Sequence, residues 1–180
     1  MELVEKGASA AIGSIKKLLV TLAWSIAADF DLAALVQDNN DNWSMIYFNN
    51  KGDLNSYPYI KLDQDAGVGD SVDDGGENEE NLTIEKLEGT KKVHLVCWDY
   101  GAIKNGSAAR FKESDVKIKV VDDKGTDHQV SLDTGDLGNI CCIASIENSP
   151  IGANLINSSE AGILKEFKNT NGILEVLNLN

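Results

Sequence analysis

The sequence predicts an all-β fold, a β-sandwich of two mainly antiparallel sheets with a short helix near the C-terminus. Three observations carry this. The dominant hydrophobic period is two, the mark of strands with one buried face. The apolar segments are short and rich in β-branched and aromatic residues. Clusters of Asn, Asp and Gly, which tolerate the dihedrals of tight turns, separate them.

The elements follow in order. Within residues 17–26, Leu18, Val20, Leu22, Trp24 and Ile26 alternate with Lys17, Leu19, Thr21, Ala23 and Ser25. WSMIYF (43–48) and KKVHLVCW (91–98) read as strands, and VKIKVV (116–121) alternates Val116, Ile118 and Val120 with lysines. HQVSL (128–132), NICCIASI (139–146) and GILEVL (172–177) complete the strand series. DNNDN (38–42), NNKGD (49–53), DDKGTD (122–127) and DTGDLG (133–138) read as turns, with DDKGTD closing a hairpin. The expected helix is SSEAGILKEF (158–167), capped by Ser158 or Ser159, with Ile163, Leu164 and Phe167 as its apolar face. A chain of 180 residues suits a single domain spanning 1–180.

Composition narrows the function. The formal net charge of −13 argues against nucleic-acid backbones and anionic membrane surfaces, and fits a cationic partner. The apolar run Leu18–Ala28 is too short to span a bilayer, and the N-terminus, with Glu2 and Glu5, has no signal-peptide pattern. A cytoplasmic protein with no membrane span is expected. Cys97, Cys141 and Cys142 form no C-x-x-C motif. The adjacent pair points to opposite faces of a strand, so these read as structural thiols in a reducing compartment. His94 and His128 have no partner in a recognisable catalytic arrangement and read as structural or exposed, and the Trp residues read as core. A G-x-S-x-G elbow, a P-loop and an H-E-x-x-H helix are all missing, so no enzymatic activity is expected.

Residues 61–81 break the pattern, being long and without period. Long loops in compact domains tend to be functional or disordered. The stretch GDSVDDGGENEEN (69–81) concentrates Asp70, Asp73, Asp74, Glu77, Glu79 and Glu80, with no basic residue. Two like charges about 4 Å apart repel by about 1 kcal/mol in water, and a divalent cation reverses that sign. Calcium takes about six to eight oxygen ligands, which carboxylates and carbonyls supply and which His or Cys do not. The spacing is not that of an EF-hand: a register begun at Asp63 places Gly67 at an oxygen position, and one begun at Asp38 has Trp43 in place of the glycine. The residues alone leave two readings open, a calcium site and a solvated acidic loop that docks a basic protein surface.

The order of several segments resembles the TerD family of tellurium-resistance and stress proteins. LAWSI (22–26), FDLAA (30–34), IYFNN (46–50), GDSVDDGGENEEN (69–81), VHLVCWDYGA (93–102), ARF (109–111) and VKIKVVDDKG (116–125) follow the family's sequence of motifs. The resemblance covers most of residues 3–135 and implies a calcium-binding, non-enzymatic β-sandwich. Its implied cofactor is Ca2+, and its implied protein partner is another stress-response protein. By that resemblance Asp31, Asp70, Ser71, Glu77, Glu79 and Glu80 stand where metal ligands are expected, with Asp73 and Asp74 as extra ligands that would compensate for the departures. Ala33 replaces a second Asp in the Phe-Asp-Leu-Asp segment, Asp74 and Asn78 replace glycines, and Asn81 replaces a Glu.

Overall fold

The computed structural model describes residues 1–13, 17–26, 28–63, 78–108 and 111–180. Its strands are β1 (Glu2–Leu3), β2 (Ser9–Gly13), β3 (Leu18–Trp24), β4 (Phe30–Asp38), β5 (Trp43–Ile46), β6 (Gly52–Asp53), β7 (Ile60–Leu62), β8 (Asn78–Ile84), β9 (Thr90–Asp99), β10 (Lys117–Asp122), β11 (Asp127–Ser131), β12 (Ile140–Ser149) and β13 (Gly152–Gly162). Two short helices, α1 (Tyr100–Asn105) and α2 (Thr170–Val176), accompany them. Sheet A runs β1-β11-β10-β3-β8-β7-β6 and sheet B runs β2-β13-β12-β9-β4-β5. The named pairs are antiparallel except β1 with β11, which is parallel. The chain therefore adopts the expected sandwich.

Period two explains the core between the sheets. From sheet A, Leu18, Val20, Leu22 and Trp24 of β3, Leu82 and Ile84 of β8, and Ile118 and Val120 of β10 point inward. From sheet B, Leu32, Ala34 and Val36 of β4 and Val93, Leu95 and Cys97 of β9 meet them. Burying a large aliphatic side chain contributes about 1.5–3 kcal/mol. Sheet B also buries its other face. Ala33, Leu35, Val96, Trp98, Ile140 and Cys142 point outward and are covered by Leu164, Ile173, Leu174 and Leu177. That second layer is why FDLAALV is apolar at nearly every position, where a one-faced strand would alternate.

The C-terminal elements differ from the sequence expectation. Residues 158–162 belong to β13, and the helix lies later, over a stretch expected to be a strand. The helix face Ile173, Leu174 and Leu177 has the spacing of one turn, and the Asn169 side chain caps its start by accepting from the Gly172 amide at 2.9 Å. Ser158 and Ser159 do not cap a helix. They sit at an irregularity where the register of β12 shifts between Cys142 and Ala144. The bulge turns Ile143 and Ala144 both toward the inner core. Beyond β13, Asn139 fastens the returning chain. Its side-chain Nδ2 donates to the Leu164 carbonyl at 2.7 Å, and its Oδ1 accepts from the Leu164 amide at 2.7 Å. Helix α2 then lies so close to Gly162 that a Cβ there would stand 2.6 Å from Val176 Cγ1 and 2.9 Å from the Val176 carbonyl oxygen.

Cys141 and Cys142 face opposite sides of β12, as expected of neighbours in a strand. Both histidines are buried. His94 stacks on Trp43 and its Nδ1 shares a 2.6 Å hydrogen bond with Ser145 Oγ. Burial pushes its imidazole down to about 4, while the backbone carbonyl of Asn180 opposes that shift. No helix among the described residues is long and apolar enough to cross a membrane.

Two expectations follow. Gly162→Ala forces α2 off sheet B and lowers stability by about 2 kcal/mol in urea unfolding. The second concerns His94, which stays neutral in the fold at a pH where the unfolded chain, titrating near about 6.5, is protonated. Its stabilising share is complete above about pH 6.5 and is lost as pH falls toward 4, about 3 kcal/mol in all. His94→Gln should lose less stability than the parent between pH 7 and pH 4.5, compared by urea unfolding.

Candidate functional site

The start of β4 organises one end of the sandwich. Phe30 anchors it in the core, stacked on Phe111 with centroids 5.6 Å apart and edge-on to Trp24 at 5.5 Å. The next residue, Asp31, points to the outer face of sheet B, where its cross-strand partner is Trp98. The buried Trp98 donates its indole Nε1 to Asp31 Oδ2 at 2.9 Å. An indole N–H taken out of water needs an acceptor, and Asp31 supplies it.

Leu32 follows. On one side β4 pairs with β9 along its length, whereas its pairing with β5 on the other side begins only at Ala34. The Leu32 amide is thus not met by a strand. Glu80 meets it from the opposite sheet, with Oε2 accepting at 2.6 Å. Glu80 lies on β8 opposite Leu22, on the inward face shared with Leu82 and Ile84, and is only 6% exposed. A buried carboxylate is tolerated only with strong hydrogen bonds, and this bond is of that kind. Burial pushes the nearby Cys97 thiol well up, followed by its hydrogen bond to Cys141 and by the negative fields of Cys141, Glu80 and Asp31.

Glu79 is placed differently. Residues 78–81, expected as loop, already belong to β8, and strand alternation sends Glu79 to the exposed outer face of sheet A. There it borders a groove of about 270 Å³ with Asp115, Lys117, Lys119 and Asp127. Lys119 pairs with Asp127 at 2.9 Å. Ser25 holds Asp115 through both its amide and its hydroxyl, which lowers the Asp115 carboxyl. The structure therefore brings Glu80 to the backbone beside Asp31 and separates Glu79 from both. Asp70, Ser71, Asp73, Asp74 and Glu77 lie outside the described residues. Among the described residues, no three His, Cys, Asp or Glu side chains gather as a metal-binding group.

Two solved structures share this architecture. One is a protein of unknown function, SAV2460, with a TM-score of 0.54 at 14% identity over 82% of this chain and 92% of its own. The other is a homologue of the telluride resistance protein TerD from Streptomyces coelicolor A3(2), with a TM-score of 0.53 at 12% identity over 91% and 96%. The fold is that of the TerD homologue. At these identities the likeness is one of fold. No family profile and no curated protein matches the sequence.

Sequence reasoning missed the two groups that Asp31 and Glu80 serve. The indole of Trp98 and the amide of Leu32 become partners only once the β4–β9 register and the sheet-to-sheet contact exist. Glu80→Ala removes the acceptor of a buried amide and should lower stability by about 2–3 kcal/mol. Glu79→Ala, at an exposed position, should change it by less than about 0.5 kcal/mol. Parallel urea unfolding of the two variants checks the assignment, and equal effects would overturn it.

Proposed function

We propose that the chain is a single TerD-like domain over 1–180 that binds calcium, has no enzymatic activity and acts in a cytoplasmic stress or tellurium-resistance response through another stress-response protein. The observation that carries this reading is the buried Glu80 carboxylate on the Leu32 amide, one residue past Asp31 and two residues past the point where β8 begins. Two carboxylates from opposite sheets are thus held at one short backbone stretch, Asp31 on its outer side and Glu80 on its inner side, and Glu80 stands near the end of the acidic segment. The donor set is all oxygen, which suits a hard divalent cation.

In this reading Asp31 and Glu80 are the ligands offered by the rigid scaffold. Asp70, Ser71, Asp73, Asp74 and Glu77 supply the rest from the acidic segment, and Glu79 is not among the ligands. Calcium would supply the positive charge that offsets repulsion among these carboxylates. Each scaffold carboxylate already has a structural hydrogen bond, so the chain holds them in place before any ion arrives. An ion joining the segment to the sandwich end is a switch of known kind, and the joined surface is what a partner protein would recognise.

A thermal melt in chelator and then across a calcium titration, with magnesium as control, tests this. A ligand bound only by the folded state stabilises it by about 2.7 kcal/mol at about 100 times its Kd. The melting temperature should rise with calcium and not with magnesium, and the double variant Asp31→Asn with Asp70→Asn should abolish the rise. Asn keeps an acceptor for Trp98, so that variant should fold. A melt indifferent to calcium would overturn the reading and leave the acidic segment as a docking surface, which monovalent salt should weaken.

A further inference from the structure

The two central strands of sheet B place two thiols directly opposite each other. Cys97 of β9 and Cys141 of β12 are register partners in an antiparallel pair. Both point into the core between the sheets, and both are free and fully buried. Directly opposed residues of an antiparallel pair lie about 4.5–5.5 Å apart at Cα. A disulfide is accommodated at Cα separations of about 4.4–6.8 Å. The bond therefore fits within the existing register. Cys142 is kept out of any such pair by the same register. It faces the outer side opposite Val96, and its Sγ donates to the Ala144 carbonyl at 3.4 Å.

We propose that Cys97 and Cys141 are a redox-active dithiol that closes to a cross-strand disulfide on reaction with a small-molecule disulfide such as oxidised glutathione. One cysteine, as thiolate, attacks a sulfur of the small disulfide, giving a mixed disulfide and releasing one reduced small thiol. The second cysteine, having lost its proton, attacks the protein sulfur of that mixed disulfide and expels the other small thiol. The two protein thiols lose two protons and two electrons, and the small disulfide gains them as two thiols. Leu32, whose amide holds Glu80, is the β4 register partner of Cys97. The new bond thus clamps the strands immediately beside the carboxylate-bearing end of the sandwich.

Full burial makes the exchange slow in the closed fold, so the test lets it occur during folding. The reduced, unfolded chain is refolded in mixtures of reduced and oxidised glutathione, alkylated and mapped by peptide mass spectrometry. The expected product has Cys97 linked to Cys141 and Cys142 alkylated, in the parent and in Cys142→Ala alike. Its melting temperature should lie several degrees above that of the reduced form. Cys97→Ala should form no intramolecular disulfide; if that variant does not fold, the maps of the parent and of Cys142→Ala decide. A folded product with all three cysteines alkylated, or one with Cys141 linked to Cys142, overturns the proposal.

Discussion

Burial of sheet B on both faces forces its central strands to be apolar at consecutive positions, and it obliges some other part of the chain to cover the outer side. The segment after β13 does this. Leu164, Ile173, Leu174 and Leu177 complete a second core over Ala33, Leu35, Val96 and Trp98. Everything that holds that segment down becomes structural. Asn139 grips Leu164 with two hydrogen bonds, and Gly162 leaves room for Val176 to come close. Among the described residues sheet A has no such cover, and the outward positions of β3, β8 and β10 are mostly polar or small, as at Thr21, Ala23, Glu79 and Lys117, with Leu19 an exposed exception. Among the described residues the sandwich is therefore asymmetric, with only sheet B buried on both faces.

The candidate site sits where this asymmetry meets an end of β4. Asp31 belongs to the outer layer through Trp98, and Glu80 belongs to the inner layer through Leu32. Two carboxylates from different layers are thus brought to consecutive backbone positions. Their hydrogen bonds fix them against the scaffold, which is the kind of support that a precise site requires.

Much of the architecture was legible because its signals are local. The alternation in residues 17–26 and the Asn-, Asp- and Gly-rich turns needed no knowledge of distant partners. Asp31 and Glu80 were also reachable, as acids in a recognisable order of motifs. What was hidden depended on contacts across the fold. Residues 158–162 carry serines and a glutamate that look like a helix start, but pairing with β12 overrides that local preference. GILEVL satisfies a strand pattern and a helix pattern equally, and the need to cover sheet B selects the helix. Glu79 and Glu80 read as one acidic pair until the strand beginning at Asn78 sends them to opposite faces.

The bulge at Ile143 behaves like a shift of reading frame within one strand. Before it, odd-numbered residues of β12 face the core, as Cys141 does; after it, even-numbered residues do, as Ala144 and Ile146 do. The extra residue lets the cysteine pair on one side and the His94–Ser145 pair on the other each find the correct face of the same neighbouring strand. Removing Ile143 would leave the later residues on their present faces, whereas flattening the bulge with every residue kept would impose an unbroken alternation and rotate every later residue by half a turn. Ser145 would then face the hydrophobic core, and Ile146 would face the polar pocket of His94. In this strand, length is a coded quantity: its tolerance to substitution and its tolerance to insertion or deletion are separate properties.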